Sequence, residues 1–169
     1  MRAFWISAFL AGILALAGCS KEETCDFLFV QDSKGMTFDG TRLTLKEANP
    51  NIIFFCDRPE RIAGHLSRSA FMKLVTEGED SFAVNPPNAA ISVFGENNEI
   101  IESVVELSER PVMDGDDFIY PVKVLEGVLP PEGGAVAMFI DPIGRPLSPG
   151  SAAGVHRRHR RRAERHVRH

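Results

Sequence analysis

Short apolar runs broken by turn residues fill the chain from residue 25 to 141. In "SVVEL" and "FIYPVKVLEG" apolar and polar positions alternate, as a half-buried antiparallel strand demands. "CDFLFVQD" reads as another strand, and "GMTFDGTRLTLKEA" as a hairpin whose Asp39-Gly40 supplies the positive φ angles of a tight primed turn. "NIIFFC" is a continuous apolar run, consistent with a strand buried on both faces. One helix is predicted, over about Ser67 to Thr76. It places Leu66, Ala70, Phe71, Leu74 and Val75 on one face, with Ser67 or Ser69 capping its start and Gly78 its end. Beyond it, "AAISVFG" and "IIESVVELSE" join through "ENNE", "DDFIYPVKVLEG" follows the "MDGD" turn, and "GAVAMFID" closes the series. Pro121 within the third of these predicts an edge or a bulge. The expected fold is mainly β: an antiparallel sandwich or small barrel of about seven or eight strands, of Greek-key type, with one short helix.

The two ends break this pattern. Arg2 precedes an uncharged, largely apolar run, Ala3 to Ala17, shorter than the roughly 20 residues a bilayer needs, so it reads as a secretory signal. No later segment is apolar for long enough to span. Leu16-Ala17-Gly18-Cys19 resembles the lipobox of bacterial lipoproteins, and the resemblance implies cleavage before Cys19 and lipid on that residue. Ser20 follows, and in the enteric type of sorting a non-aspartate there implies the outer membrane. The competing reading is ordinary cleavage after Ala17, since Ala15-Leu16-Ala17 has the small-x-small form. The segments are then a signal over 1–18, a tether over 19–24, a β-rich domain over 25–141, a Pro/Gly/Ser linker over 142–155 and a basic tail over 156–169. The five residues Ser20 to Thr24 reach at most about 18 Å.

Cysteine parity points the same way. With Cys19 lipidated, Cys25 and Cys56 remain, an even number for an oxidising compartment. A Cys25–Cys56 disulfide would close a loop of about 30 residues and contribute about 3 kcal/mol by the chain-entropy model.

Charge divides just as sharply. The formal net charge is −4, yet His156 to His169 holds seven arginines and one glutamate, a net of +6. Without that tail and Arg2 the chain has 11 basic against 22 acidic residues, a body of −11 that is a poor partner for nucleic acid. The tail is suited to anionic lipid or lipopolysaccharide, at about 1 kcal/mol per basic residue near a charged membrane. It can equally be a disordered solubilising segment, or fold back on the acidic body. His156/His159 and His166/His169, each three apart, would hold a metal ion only weakly on a helix.

Chemistry concentrates at "NIIFFCDRPERIAGH". Cys56, Asp57 and His65 hold the parts of a thiol nucleophile, an orienting carboxylate and a base, and Arg58 or Arg61 could stabilise a thiolate. The same residues make a structural corner in which Asp57 pairs with an arginine and Pro59 starts a turn, or an anion site on Arg58 and Arg61. In "GEDSFAVNPPNAAISV", Asp80, Asn85 and Asn88 surround a rigid Pro86-Pro87, either presenting the two asparagines to a ligand or turning into a strand. No zinc spacing, EF-hand loop, phosphate-cradling glycine loop or GxSxG elbow is present, so no cofactor or metal is expected.

"FFCDRPERIAGH", "DSFAVNPPNAAISV" and "YPVKVLEGVLP" are similar to segments of a group of secreted bacterial proteins of unknown function, over Phe27 to Pro142. The similarity implies a shared fold and carries no activity. Together these features predict a lipid-anchored, periplasm-facing cell-envelope lipoprotein, with no catalytic residue assigned, that acts as a binding or structural module. The alternatives are a small periplasmic enzyme using Cys56 and His65, or a subunit of an envelope complex.

Overall fold

The structure, a computed structural model, describes residues 27–56, 61–78, 81–95 and 99–142. Its elements are β1 (Phe27–Phe38), β2 (Arg42–Ala48), β3 (Asn51–Cys56), β4 (Ala63–Ser67), α1 (Arg68–Thr76), β5 (Asn88–Phe94), β6 (Ile100–Leu107), β7 (Val112–Asp114), β8 (Asp117–Gly127), β9 (Glu132–Gly133) and β10 (Val136–Ile140). The predicted lipidation site Cys19, the tether, Cys25, and the linker and tail beyond Pro142 lie outside the described residues.

β1, β2, β8, β6, β5 and β10 pair in that order, and β10 returns to β1, closing a six-stranded antiparallel barrel. Closure leaves those six without a free edge. β7 pairs with β8 and β9 with β1, while β3 and β4 form a ribbon attached to β1 outside the closed ring. The mainly β barrel with one short helix agrees with the sequence pattern.

Alternation explains the inside of the barrel. Leu43 and Leu45 of β2, Phe118, Tyr120 and Val122 of β8, and Val136, Met138 and Ile140 of β10 occupy every second position and are buried. β1 runs unbroken through both segments expected to be separate strands, because it changes face midway. Phe29, Gln31 and Ser33 are buried at odd positions, then Met36 at an even one. β2 makes the matching change between Leu45 and Ala48, so Met36 still opposes Leu45 and Ser33 still opposes Ala48. The irregularity sits at Glu47, held at φ +46° with its N–H donating to Asp117 Oδ1 at 2.8 Å.

α1 begins where the Ser67 side chain accepts from the Ala70 N–H. Only Phe71 and Val75 of the helix are buried, whereas Ala70 is exposed and Leu74 is 42% exposed, so the apolar face is narrower than predicted. Phe71 compensates by reaching into the core, its ring 5.5 Å from Phe29, 6.2 Å from Phe118 and 6.3 Å from Phe82. Each edge-on pair adds about 0.5–1.5 kcal/mol to the burial term.

Three further expectations are corrected. "NIIFFC" (β3) is buried on one face only, because it lies in the outer ribbon, with Ile53 at 39% exposure. Pro121 sits in a barrel strand as the last β2–β8 pair, opposite Arg42, so it lies at no edge; the irregularity of that strand comes further on, where the β6–β8 register shifts between Val104 and Val105. At the β1–β2 turn only Gly40 takes a positive φ, +102°. The Asp39 carboxylate closes this turn, accepting from the N–H groups of Thr41 (2.8 Å) and Arg42 (2.7 Å), and these bonds hold its pKa below the ordinary value.

Candidate functional site

The register places both chain ends at one end of the barrel. Phe27, the first described residue, opposes Cys56, and Phe29, two positions on, opposes Ile140 near the close of β10. Asp141 then donates its N–H to the Asn88 carbonyl at 2.8 Å, bringing the start of β5 to the same end. Cys56 and Arg61, the described residues on either side of the predicted corner, are therefore here, beside the points where the described chain begins and ends.

Cys56 is 7% exposed, and its N–H donates to the Ile62 carbonyl at 2.8 Å. Its thiol is engaged rather than free. His65 is exposed on β4, opposite Ile53. Cross-strand partners share a face and neighbours alternate, so His65 points with Ile53 and away from Cys56, three positions further along β3. Three strand residues span about 10 Å. The thiol–imidazole arrangement that the residue types suggested is thus not assembled. Arg61 is exposed with φ +51°, a left-handed conformation unusual for a non-glycine. Asp57 and Arg58 lie outside the described residues.

The segment from Ser81 to Pro87 is a packed turn. Phe82 is fully buried, its N–H donating to the Val75 carbonyl at 2.9 Å, and the Asn85 N–H donates to the Ser81 carbonyl at 2.9 Å. Asn85 is half-buried, and Asn88 is 4% exposed within the ladder opposite Glu106. From Asn88 across β10, β1 and β3 to β4 is four strand spacings, about 19 Å. The structure does not bring the asparagines and the corner into one site.

Sequence reasoning missed a groove of about 430 Å³ bordered by Asp32, Lys34, Glu47, Pro50, Arg68 and Asp116. It opens where β1 and β2 change face. Lys34 bonds Glu47 at 2.6 Å, and that hydrogen bond, then the carboxylate's charge, raises the Lys34 pKa. Arg68 bonds both the Asp116 carboxylate and the Ala48 carbonyl, while its buried Nε has no partner among the described residues. Its cations are thus already engaged by its own carboxylates, which describes a structural tie. Asp116 lies 48 positions from Arg68, and nothing local in the sequence announces the pair. Among the described residues no group of three His, Cys, Asp or Glu side chains could hold a metal ion, and no helix is long and apolar enough to cross a membrane.

Comparison with family models, curated proteins and solved structures found no match to this chain.

Proposed function

We propose that this chain is a lipid-anchored lipoprotein of the bacterial cell envelope, facing the periplasm from the outer membrane, whose barrel is a binding or structural module. Cys19 carries the lipid, and the basic tail from His156 to His169 adds attraction to anionic lipid or lipopolysaccharide. One observation supports the reading above the rest: both termini of the barrel lie at the same end, Phe27 beside Cys56 and Phe29 beside Ile140. From Ile140 the Pro/Gly/Ser linker leads to the tail. A flexible chain of about 14 residues has a root-mean-square span of about 20 Å, so lipid and tail can engage one surface together.

Within this reading the partner of Cys56 is Cys25. Cys25 stands two residues before Phe27, so chain length keeps their alpha carbons within about 7 Å. Phe27 is in turn the cross-strand neighbour of Cys56. Such proximity is compatible with the span a disulfide allows.

The test is the intact mass of the native protein, with free thiols alkylated before and after reduction. Lipid mass on Cys19, and two alkylations only after reductant, are the expected results. A mature mass beginning at Gly18 without lipid would defeat the anchor. Alkylation of Cys56 in the native protein would defeat the pairing and return the corner to consideration as a reactive site.

A second reading, as a subunit of an envelope complex, is favoured by one feature. Phe94 (42% exposed) and its cross-strand partner Ile100 (52%), with Val128 (73%), stand at the barrel end away from the termini. Mild crosslinking in cells followed by purification separates a solitary module from a complex, because only the latter carries a stoichiometric partner.

A further inference from the structure

The outer ribbon, β3 with β4, exposes Ile53, Ala63 and His65 on its outward face. Ile53 and His65 form one cross-strand pair on that face and Phe55 and Ala63 the next, towards the termini. Ile53 is 39% exposed, and Ile62, just ahead of β4, is 42% exposed. Arg61 precedes it, exposed and in no ion pair among the described residues. Ile62 continues the Cys56 side of the ribbon, since the Cys56 N–H donates to its carbonyl, so apolar side chains stand on both sides of the ribbon end with a cation beside them. That is the pattern of a tip that dips into the headgroup boundary, apolar side chains inward and the basic one among the phosphates.

Chain connectivity says which surface that is. Phe27 opposes Cys56, so the end of the ribbon that carries Arg61 and Ile62 lies beside the point where the N-terminal segment joins the barrel. Only seven residues separate Phe27 from Cys19, eight chain steps with a reach of at most about 28 Å. With lipid on Cys19, that end is the one held nearer the membrane, whereas Phe94, Ile100 and Val128 project from the other end.

We propose that the end of the β3–β4 ribbon is a membrane-contact tip: Phe55, with Ile53 behind it, on one side and Ile62 on the other enter the interface of an anionic bilayer, and Arg61 bonds lipid phosphate. The proposal rests on the lipid anchor argued above. It gives the barrel a fixed orientation, ribbon end down and β5–β6 hairpin tip out.

The mature chain offers a clean reporter, because the one tryptophan, Trp5, lies in the segment expected to be removed with the signal. The full-length lipoprotein carrying Ile62→Trp, and a second carrying Val128→Trp, are reconstituted into phosphatidylethanolamine–phosphatidylglycerol vesicles with or without brominated acyl chains. Co-flotation with vesicles reads the anchor, and tryptophan quenching reads the contact. Flotation with quenching at position 62 and none at 128 is the expected result. Protein that floats but is quenched at neither position overturns the ribbon contact and leaves the anchor standing. Equal quenching at both positions also overturns it, since the barrel then lies without preferred orientation. Blue-shifted but unquenched emission from the Ile62→Trp variant shows the face covered by protein, a second copy or a partner, and likewise overturns it. Failure to float rejects the anchor itself. As a second variant, Ile53→Asp/Ile62→Asp in the tail-deleted lipoprotein should abolish protection of Arg61 from arginine-modifying reagents on vesicles, while flotation persists; retained protection counts against the proposal.

Discussion

The Tyr120 hydroxyl donates to Gln31 Oε1 at 2.5 Å inside the barrel, and neither residue is exposed. Gln31 occupies an inward position of β1 between Phe29 and Ser33, and Tyr120 one of β8 between Phe118 and Val122. Two polar groups thus meet where alternation alone would place aliphatic ones. The Gln31 Nε2 amide has no partner among the described residues, so the pair is only partly satisfied.

Truncating one partner should therefore cost more than replacing both. Tyr120→Phe leaves the Gln31 amide without its bond and should lower unfolding free energy by about 1–3 kcal/mol. Gln31→Met strands the hydroxyl at a similar cost. The double variant puts apolar groups of similar shape at both positions and should be more stable than either single one. A urea double-mutant cycle measures the coupling, and additive losses would show that the bond contributes nothing.

Burial also pushes the Tyr120 phenol far above its ordinary value of 10.0, and the bond to Gln31 offsets only part of that rise. The folded chain then keeps a proton that the unfolded chain releases. Stability linked to Tyr120 is complete below pH 10 and falls as pH rises above it, by about 1.4 kcal/mol per pH unit. Tyr120 is the one tyrosine, so tyrosinate absorbance should appear together with loss of structure rather than before it. Tyr120→Phe should have a shallower alkaline decline. Tyrosinate forming in the folded protein would contradict the burial.

Where the inward pattern was plain, the sequence predicted the strands: "IIESVVELSE", "DDFIYPVKVLEG" and "GAVAMFID" became β6, β8 and β10. β4 was invisible because Ala63, Gly64, His65 and Ser67 have little strand propensity. Long-range pairing makes it a strand, with the Phe54 ring lying over Gly64. The closed ring was also illegible, since it depends on β1 meeting β10 across more than a hundred residues. Of the candidate site, the corner's position beside the chain ends was not readable, and the paired cations of Lys34 and Arg68 were not flagged at all. Residue types suggested Cys56 with His65, but a period of two sends them to opposite faces.

Glycines on the sheet test the packing directly. Gly127 has φ +81°, and a Cβ there would stand 2.5 Å from the Glu102 carbonyl oxygen and 3.0 Å from Ser103 Cα. Both the strained backbone and the backbone obstacle must then yield, so Gly127→Ala should lose about 2–4 kcal/mol. At Gly64 the obstacle is the Phe54 ring, 2.7 Å from the added carbon, which can swing away from its edge-on partner Phe27. Gly64→Ala should lose less than about 1.5 kcal/mol. Denaturant midpoints of the two variants decide the order, and equal losses would mean that the ribbon is as tightly packed as the barrel.

Arg68 is a basic residue in the first turn of α1, where the helix dipole disfavours positive charge. Its position makes sense through what it holds: the Ala48 carbonyl at the end of β2 and the Asp116 carboxylate in the β7–β8 turn. The Arg68 side chain is 16% exposed and that of Asp116 is 73% exposed, so the two bonds are not equivalent. Solvent screens the carboxylate contact, and Asp116→Asn should change stability by less than about 1 kcal/mol. Arg68→Ala also deprives the Ala48 carbonyl of a donor and removes the buried stem, and should cost about 1–3 kcal/mol. Arg68→Lys should recover little, because a single ammonium lacks the planar fork that reaches both acceptors. Thermal melts of the three variants at low and high salt check this. If Asp116→Asn proved as damaging as Arg68→Ala, with a loss that salt relieves, the tie would be an ion pair and the Ala48 bond incidental.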